Sequence, residues 1–283
     1  MRKVLIYTVH KAASVFLHQV ASEVSQELCI DHHSVNSPLY DTIMERSWKG
    51  LIEDDTKTGC FGPIRALEAM PNIPDNPDLY AVILHLRDPR DVVTSLFFSY
   101  LYSHPRSEGR YNPSADLLKQ WEDEGIDAFV IKNIPTFKQR YGELCSSFFG
   151  RENVVFLKYE DMVTNYSVWL DQFLSAFSHF PFRSQDSYEN TNNVTDMTSL
   201  HQKIYEKHKD DFAVSSEDVY AHKRQVMPGD YERKLRRETI VQLNREFRDI
   251  LDLLQYPYSR TLPIRVAFHR YKASLGKPFG LFR

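Results

Sequence analysis

The sequence predicts an α/β fold, a mainly parallel central sheet flanked by helices on both faces. Three observations carry that reading. A short apolar run at residues 3–9 (KVLIYTV) passes through a few polar residues into a stretch with helical spacing. A second run, 80–86 (YAVILHL), is almost unbroken in its hydrophobicity and meets a helix start at once. A third, 154–159 (VVFLKY), again stands between helical stretches. Continuous apolar strands alternating with amphipathic helices suit a sheet covered on both faces, with right-handed crossovers and ligand chemistry beyond the carboxyl ends of the strands.

The first strand ends in the polar turn HKAAS. From about Val15 the period changes: Leu17, Val20, Ala21, Val24 and Leu28 recur at spacings of three and four, which is one apolar face of a helix. Leu28 to Ile30 reads as a second strand, closed by Asp31-His32-His33-Ser34. Residues 36–78, with their Pro and Gly, read mostly as loops around a short helix near 64–69. Beyond the strand at 80–86 stands Arg87. Asp88 as N-cap, Pro89 at the first helical position and Asp91 three residues after the cap then suit the unsatisfied amides of a helix start. Further helices are expected near 127–149, 167–178 and 196–209. A last long one is expected over 231–254, with Leu235, Ile240, Leu243, Phe247, Ile250 and Leu254 on one face. No internal repeat is present.

At 283 residues and 33.2 kDa, a single domain hides roughly 75% of its unfolded surface, enough for a full core. The organisation expected is one domain over 1–257 and a basic extension over 258–283, which holds six basic residues and no acid. The formal charge of −3, from 35 basic and 38 acidic residues, supplies no chain-wide field for nucleic acid or an anionic membrane, so any anion site must be local. Cys29, Cys60 and Cys145 are too few and too scattered for a disulfide framework or a Cys-rich zinc site, and no metal is expected. No apolar run approaches the roughly 18 to 20 residues that span a bilayer. Nor does Met1-Arg2-Lys3, leading straight into Val4, read as a signal peptide. The expectation is a soluble, cytoplasmic protein.

Four segments carry chemistry. In the first turn, His10-Lys11-Ala12-Ala13-Ser14-Val15-Phe16, small residues lead into a helix, so backbone amides and the helix dipole converge on an anion while Lys11 adds charge and Ser14 a hydroxyl. It is not a Walker A loop, whose glycines are missing. On these residues alone, Lys11 reads first as a surface lysine of a βα turn. In RDPRDVVTS, Arg87 leaves a strand end and Ser95 lies two helical turns on, placed to grip one phosphate; an Arg paired with a neighbouring Asp is the competing reading. Lys158-Tyr159-Glu160-Asp161 closes another strand, with Tyr159 either facing a base or packing the strand end. The loop from Lys223 through Arg224 to Gly229-Asp230-Tyr231 is basic and precedes the last helix; alone it is only a capped helix start.

Together these four segments resemble, in order, the motifs of the sulfotransferases that use 3′-phosphoadenylyl sulfate (PAPS). HKAASVF is similar to the family's PKSGTTW turn, with Lys11, Ser14 and Phe16 in the Lys, Thr and Trp places. RDPRDVVTS resembles RNPKDVxVS and keeps its Arg-to-Ser step; LKYEDM resembles the strand whose Tyr touches adenine. The segment ending Gly229-Asp230-Tyr231 resembles RKGxxGDW but lacks the Lys-Gly pair. The resemblance covers residues 4–231 and implies a P-loop NTPase-like three-layer architecture. It also implies PAPS as co-substrate: the 5′-phosphosulfate on the turn Lys11, Ala12, Ala13, Ser14, Val15 and Phe16, the 3′-phosphate on Arg87, Ser95, Arg224 and the Gly229 loop, and adenine flanked by Phe16 and Tyr159.

The implied reaction is in-line transfer of a sulfuryl group to a hydroxyl or amine, with Lys11 neutralising charge on the bridging oxygen. The aryl-type members carry a basic His upstream of the 3′-phosphate Arg, and Arg65 stands there in this chain. The proton acceptor is therefore open among His33, His32 and His104, ranked in that order, with His10 and Asp31 as further options. The acceptor substrate is equally open among small molecules, lipids and glycans. Two rival readings are a nucleotide kinase or NTPase, in which Asp88 imitates a Walker B acid, and a noncatalytic nucleotide-binding protein.

Overall fold

The computed structural model describes residues 3–34, 48–65, 72–103, 113–178, 196–212 and 226–258. Five parallel strands form one sheet: β1 (Lys3–Thr8), β2 (His32–His33), β3 (Gly59–Arg65), β4 (Ala81–Leu86) and β5 (Val154–Lys158), in the order β2-β3-β1-β4-β5. Every residue of β1 and of β4 is buried, as their unbroken apolar runs require of the central pair. Alternate residues face opposite layers. Val4 and Ile6 pack under α1 (Ser14–Glu27), α6 (Tyr166–Ser175) and α7 (Met197–His208). Leu5 and Tyr7 pack under α3 (Pro89–Phe98), α4 (Ala115–Phe148), α9 (Arg237–Glu246) and α10 (Arg248–Leu253). The helical segment α2 (48–53) lies on this second layer. Two short helices, α5 (Tyr159–Thr164) and α8 (Asp230–Lys234), complete the chain order. Among the described residues, no helix is long and apolar enough to cross a membrane.

Several elements differ from expectation, each for a physical reason. Leu28 to Ile30 is not a strand but the close of α1: Cys29 adopts a left-handed conformation (φ 51°), its amide donates to Gln26 and the Ile30 amide to Ser25. This is a Schellman cap with a cysteine in the usual glycine place, so the sequence gives no stop signal. The second strand follows three residues later. The glycines that read as loop build β3. A Cβ on Gly59 would lie 2.2 Å from the Asp31 carbonyl, whose oxygen accepts the Cys60 amide, and Gly62 with Pro63 forms a bulge opposite Ile6. The expected helix near 64–69 gives way to the end of this strand; residues 66–71 lie outside the described residues.

The helix expected at 127–149 is the longer half of α4, whose two parts meet at Gly125 in a non-helical conformation (φ 80°). The single helix expected over 231–254 is three short ones. Arg236 breaks the first junction with an extended backbone, its amide drawn to the Asp127 carboxylate at 2.9 Å. The basic extension after Tyr258 lies outside the described residues.

One buried arginine ties α3 to the end of the fold. Arg90 meets the Asp88 carboxylate through Nε at 2.9 Å and Nη2 at 2.6 Å, donates also to the Asn244 side chain and the Pro257 carbonyl, and stacks on Tyr231 at 4.4 Å. Removing it leaves the buried Asp88 carboxylate without its cationic partner. Arg90→Met should lower the unfolding free energy measured in denaturant by about 3–5 kcal/mol, and Asp88→Asn in the same chain should restore part of that loss.

Candidate functional site

In the strand order β3-β1-β4, the chain leaving β1 runs to α1 on one face and the chain leaving β4 to α3 on the other. A crevice must open between them at the carboxyl ends of the strands. The turn after β1 forms one wall. Lys11 (φ 65°) and Ala13 (φ 59°, ψ 37°) both lie in the left-handed region, a chain path that turns backbone amides towards one side. Helix α1 begins with no side-chain cap and no acid in its first turn, leaving its leading amides and its dipole to act on an anion. Ala12 is buried, Ser14 half-buried, and Val15 is 58% exposed.

Two contacts join this turn to the opposite wall. The Arg87 guanidinium, 3% exposed, donates through Nη1 to the Lys11 carbonyl at 3.0 Å, and the Lys11 ammonium donates to Ser99 Oγ at 3.0 Å. The two cations thus share one cleft. Asp91, Ser95 and Ser99 follow at four-residue steps along one face of α3, with Ser95 half-buried between the other two.

Arg87 is held by a closed circuit of contacts. Its guanidinium stacks on the Tyr159 ring at 4.3 Å, and the Tyr159 hydroxyl donates to the Val226 carbonyl at 2.7 Å. The same loop turns the Gly229 and Tyr231 amides onto Asp91 at 2.8 and 3.0 Å, and Asp91 lies 3.6 Å from Arg87. Burial opposes the arginine's charge, but Tyr159, Asp91, Glu160 and Asp230 outweigh it and hold its pKa above the usual value. Its Nε is buried with no hydrogen-bond partner among the described residues, a donor in reserve at the cleft.

Asp91, expected to serve the amides of its own helix start, instead serves those of the Gly229 loop. Gly229 takes φ 84°, and its surroundings leave room for a Cβ, so the conformation and not the space demands glycine. Gly229 is expected on the nucleotide; its amide is bonded to Asp91. Phe16, expected beside adenine, is enclosed by Tyr166, His208, Phe212 and Trp169 with centroids at 4.8 to 6.3 Å.

The two histidines ranked first as bases, His32 and His33, do not sit at the cleft. His32 and His33 pair with Cys60 and Phe61 on the edge strand, level with Val4 and Leu5, well below the carboxyl end of β1. Their Nε2 atoms are engaged with the Gly62 and Thr58 carbonyls at 2.9 and 3.1 Å. Burial pushes the His32 pKa down to about 4 and lowers that of His33. His104 and Arg224 lie outside the described residues. His10 is half-buried on the turn itself, and Arg65, at the end of β3, pairs in register with Thr8 at the cleft rim.

Sequence reasoning gave no role to Ser99, to Tyr141, whose hydroxyl donates to the Arg87 carbonyl, or to Glu160, whose carboxylate accepts the Asp88 amide at 3.0 Å and the Tyr256 hydroxyl at 3.0 Å. The four-residue step from Ser95 was the only signal for Ser99. Asp88, read as a possible Walker B acid, has both carboxylate oxygens on Arg90.

No family model matches the sequence, and no curated protein matches it. Among solved structures the chain is similar to a mouse sulfotransferase, SULT7A1, complexed with PAP. The TM-score is 0.54 at 13% identity, over 96% of this chain and 89% of that one. It matches a retinol dehydratase in a complex with retinol and PAP more loosely, with a TM-score of 0.42 at 14% identity, over 93% and 84% of the two chains. The fold is that of the sulfotransferases, a parallel α/β sheet with flanking helices, as the sequence motifs implied.

Two outcomes test the site's energetics. Ala13→Gly should stabilise the protein by about 1 kcal/mol in denaturant unfolding, because glycine enters the left-handed region without the steric cost. Desolvation, with Asp88 nearby, raises the Glu160 pKa to about 7. The folded protein then keeps a proton that the unfolded chain releases near 4.5. That contribution to stability is complete below the unfolded value and is lost as pH climbs through the folded one. Comparing Glu160→Gln with the parent from acid to neutral pH should show the variant gaining roughly 2–3 kcal/mol relative to it.

Proposed function

We propose that this protein is a sulfotransferase, moving a sulfuryl group from PAPS to a hydroxyl or amine acceptor by in-line displacement. The observation that carries the reading is the cleft in which Arg87 grips the Lys11 carbonyl while the Lys11 ammonium crosses to α3. It joins two motifs that are 76 residues apart in the chain. The sulfotransferase fold and the PAP present in the similar mouse structure support the same nucleotide class.

In this reading the Lys11 turn and the leading amides of α1 receive the 5′-phosphosulfate, an anion at an uncapped helix start. Arg87 with its spare Nε–H, Ser95 and Arg224 receive the 3′-phosphate, and Tyr159 borders the base. Lys11 neutralises charge on the bridging oxygen as the sulfur–oxygen bond breaks. Of the described histidines, His10 is the one placed on the turn and takes over the role of base candidate from His32 and His33. The kinase reading loses its proposed acid, because Asp88 is committed to Arg90.

Adenosine 3′,5′-bisphosphate should raise the melting temperature through linkage, and ATP should raise it less; equal shifts would sink the nucleotide assignment. Lys11→Ala should abolish sulfuryl transfer to any acceptor used by the parent while weakening bisphosphate binding far less. Full turnover by that variant would remove Lys11 from the mechanism.

A further inference from the structure

Asp91 is a negative charge placed where an anion is expected, and that placement needs an explanation. It sits on α3 between Arg87 and Ser95, almost wholly buried, with side-chain exposure of 1%. By charge alone it weakens any phosphate bound beside it. Its two oxygens, however, accept amides from a loop 138 and 140 residues away in the chain, Gly229 at 2.8 Å and Tyr231 at 3.0 Å. The other end of that loop is held through Val226 by the Tyr159 hydroxyl, and Tyr159 is the ring under Arg87. The loop therefore has two latches, and both terminate on groups that touch Arg87.

We infer that Asp91 is a positioning residue, which sets the 226–231 loop against Arg87 and so makes the cleft selective for a nucleotide with a second phosphate. The inference rests on the sulfotransferase reading. A carboxylate accepting two backbone amides in a buried setting holds a loop more rigidly than neutral groups do, and rigid placement of separate donors is what a doubly phosphorylated ligand needs. Charge and position predict opposite signs. If Asp91 acts only as a charge, removing it tightens binding of the bisphosphate; if it positions the loop, removing it weakens that binding and leaves the monophosphate alone.

The test is calorimetric titration of the full chain with adenosine 3′,5′-bisphosphate and with adenosine 5′-monophosphate. The parent should prefer the bisphosphate. Asp91→Asn, in which an N–H replaces one acceptor, should lose about tenfold of that preference, with the monophosphate affinity unchanged. Tyr159→Phe opens the other latch while keeping the ring under Arg87. It should move the preference in the same direction, and it decides the matter if Asp91→Asn does not fold. Preference unchanged or increased in the variants, or equal weakening of both nucleotides, overturns the positioning role. A parent without any preference overturns the nucleotide reading itself, and the positioning role with it.

Discussion

The constraint on which the rest of the structure depends is the buried guanidinium of Arg87 bonded to the carbonyl of Lys11. The two central strands send their chains to opposite faces of the sheet, so the start of α1 and the foot of α3 have no shared backbone to fix their separation. A side chain that leaves β4 and ends on the turn after β1 fixes it. Burying a cation is unfavourable unless its surroundings answer the charge, and here an aromatic face and several carboxyl groups do so. The width of the crevice is thereby set by an interaction that cannot be relaxed without exposing or orphaning a charge.

The polar interior around that arginine divides its labour. Asp88 faces Arg90, Asp91 faces the backbone of a distant loop, and Glu160 closes over the first amide of α3 and the Tyr256 hydroxyl. With the buried Asp230 also acting on Arg87, the carboxyl groups outnumber the two arginines, and the raised Glu160 pKa lessens that excess by retaining a proton near neutrality. The arginine charges are answered inside this network, so in the proposed reading attraction for an anion rests on the Lys11 ammonium and the amides heading α1.

The sequence was legible where a local signal agreed with the tertiary role. The unbroken runs of β1 and β4 could only be central strands, and Asp88-Pro89 marks a helix start in any context. Lys11 and Arg87 could be placed in one cleft because both follow central strands. Legibility failed where a residue type stood in for the usual one. Cys29 and Ala13 take left-handed conformations that glycine normally signals, and Gly59 and Gly62, which normally signal loops, serve close strand approach. It failed again where partner choice is tertiary. Nothing near Asp91 in the chain announces that its carboxylate belongs to a loop near residue 230, and nothing in the pair His32-His33 announces an edge strand below the cleft.

The four-residue step from Asp91 through Ser95 to Ser99 makes α3 a ruler as well as a wall. An α-helix advances about 1.5 Å and turns about 100° with each residue. A single inserted or deleted residue between Asp91 and Ser99 would swing the far hydroxyl by about 100° around the helix, out of reach of the lysine, and would turn the buried Leu96 and Phe97 out of register with the core. No residue of α3 is exposed, so its residue count is held by the core as well as by the cleft. Changes in the length of this protein must therefore accumulate elsewhere in the chain.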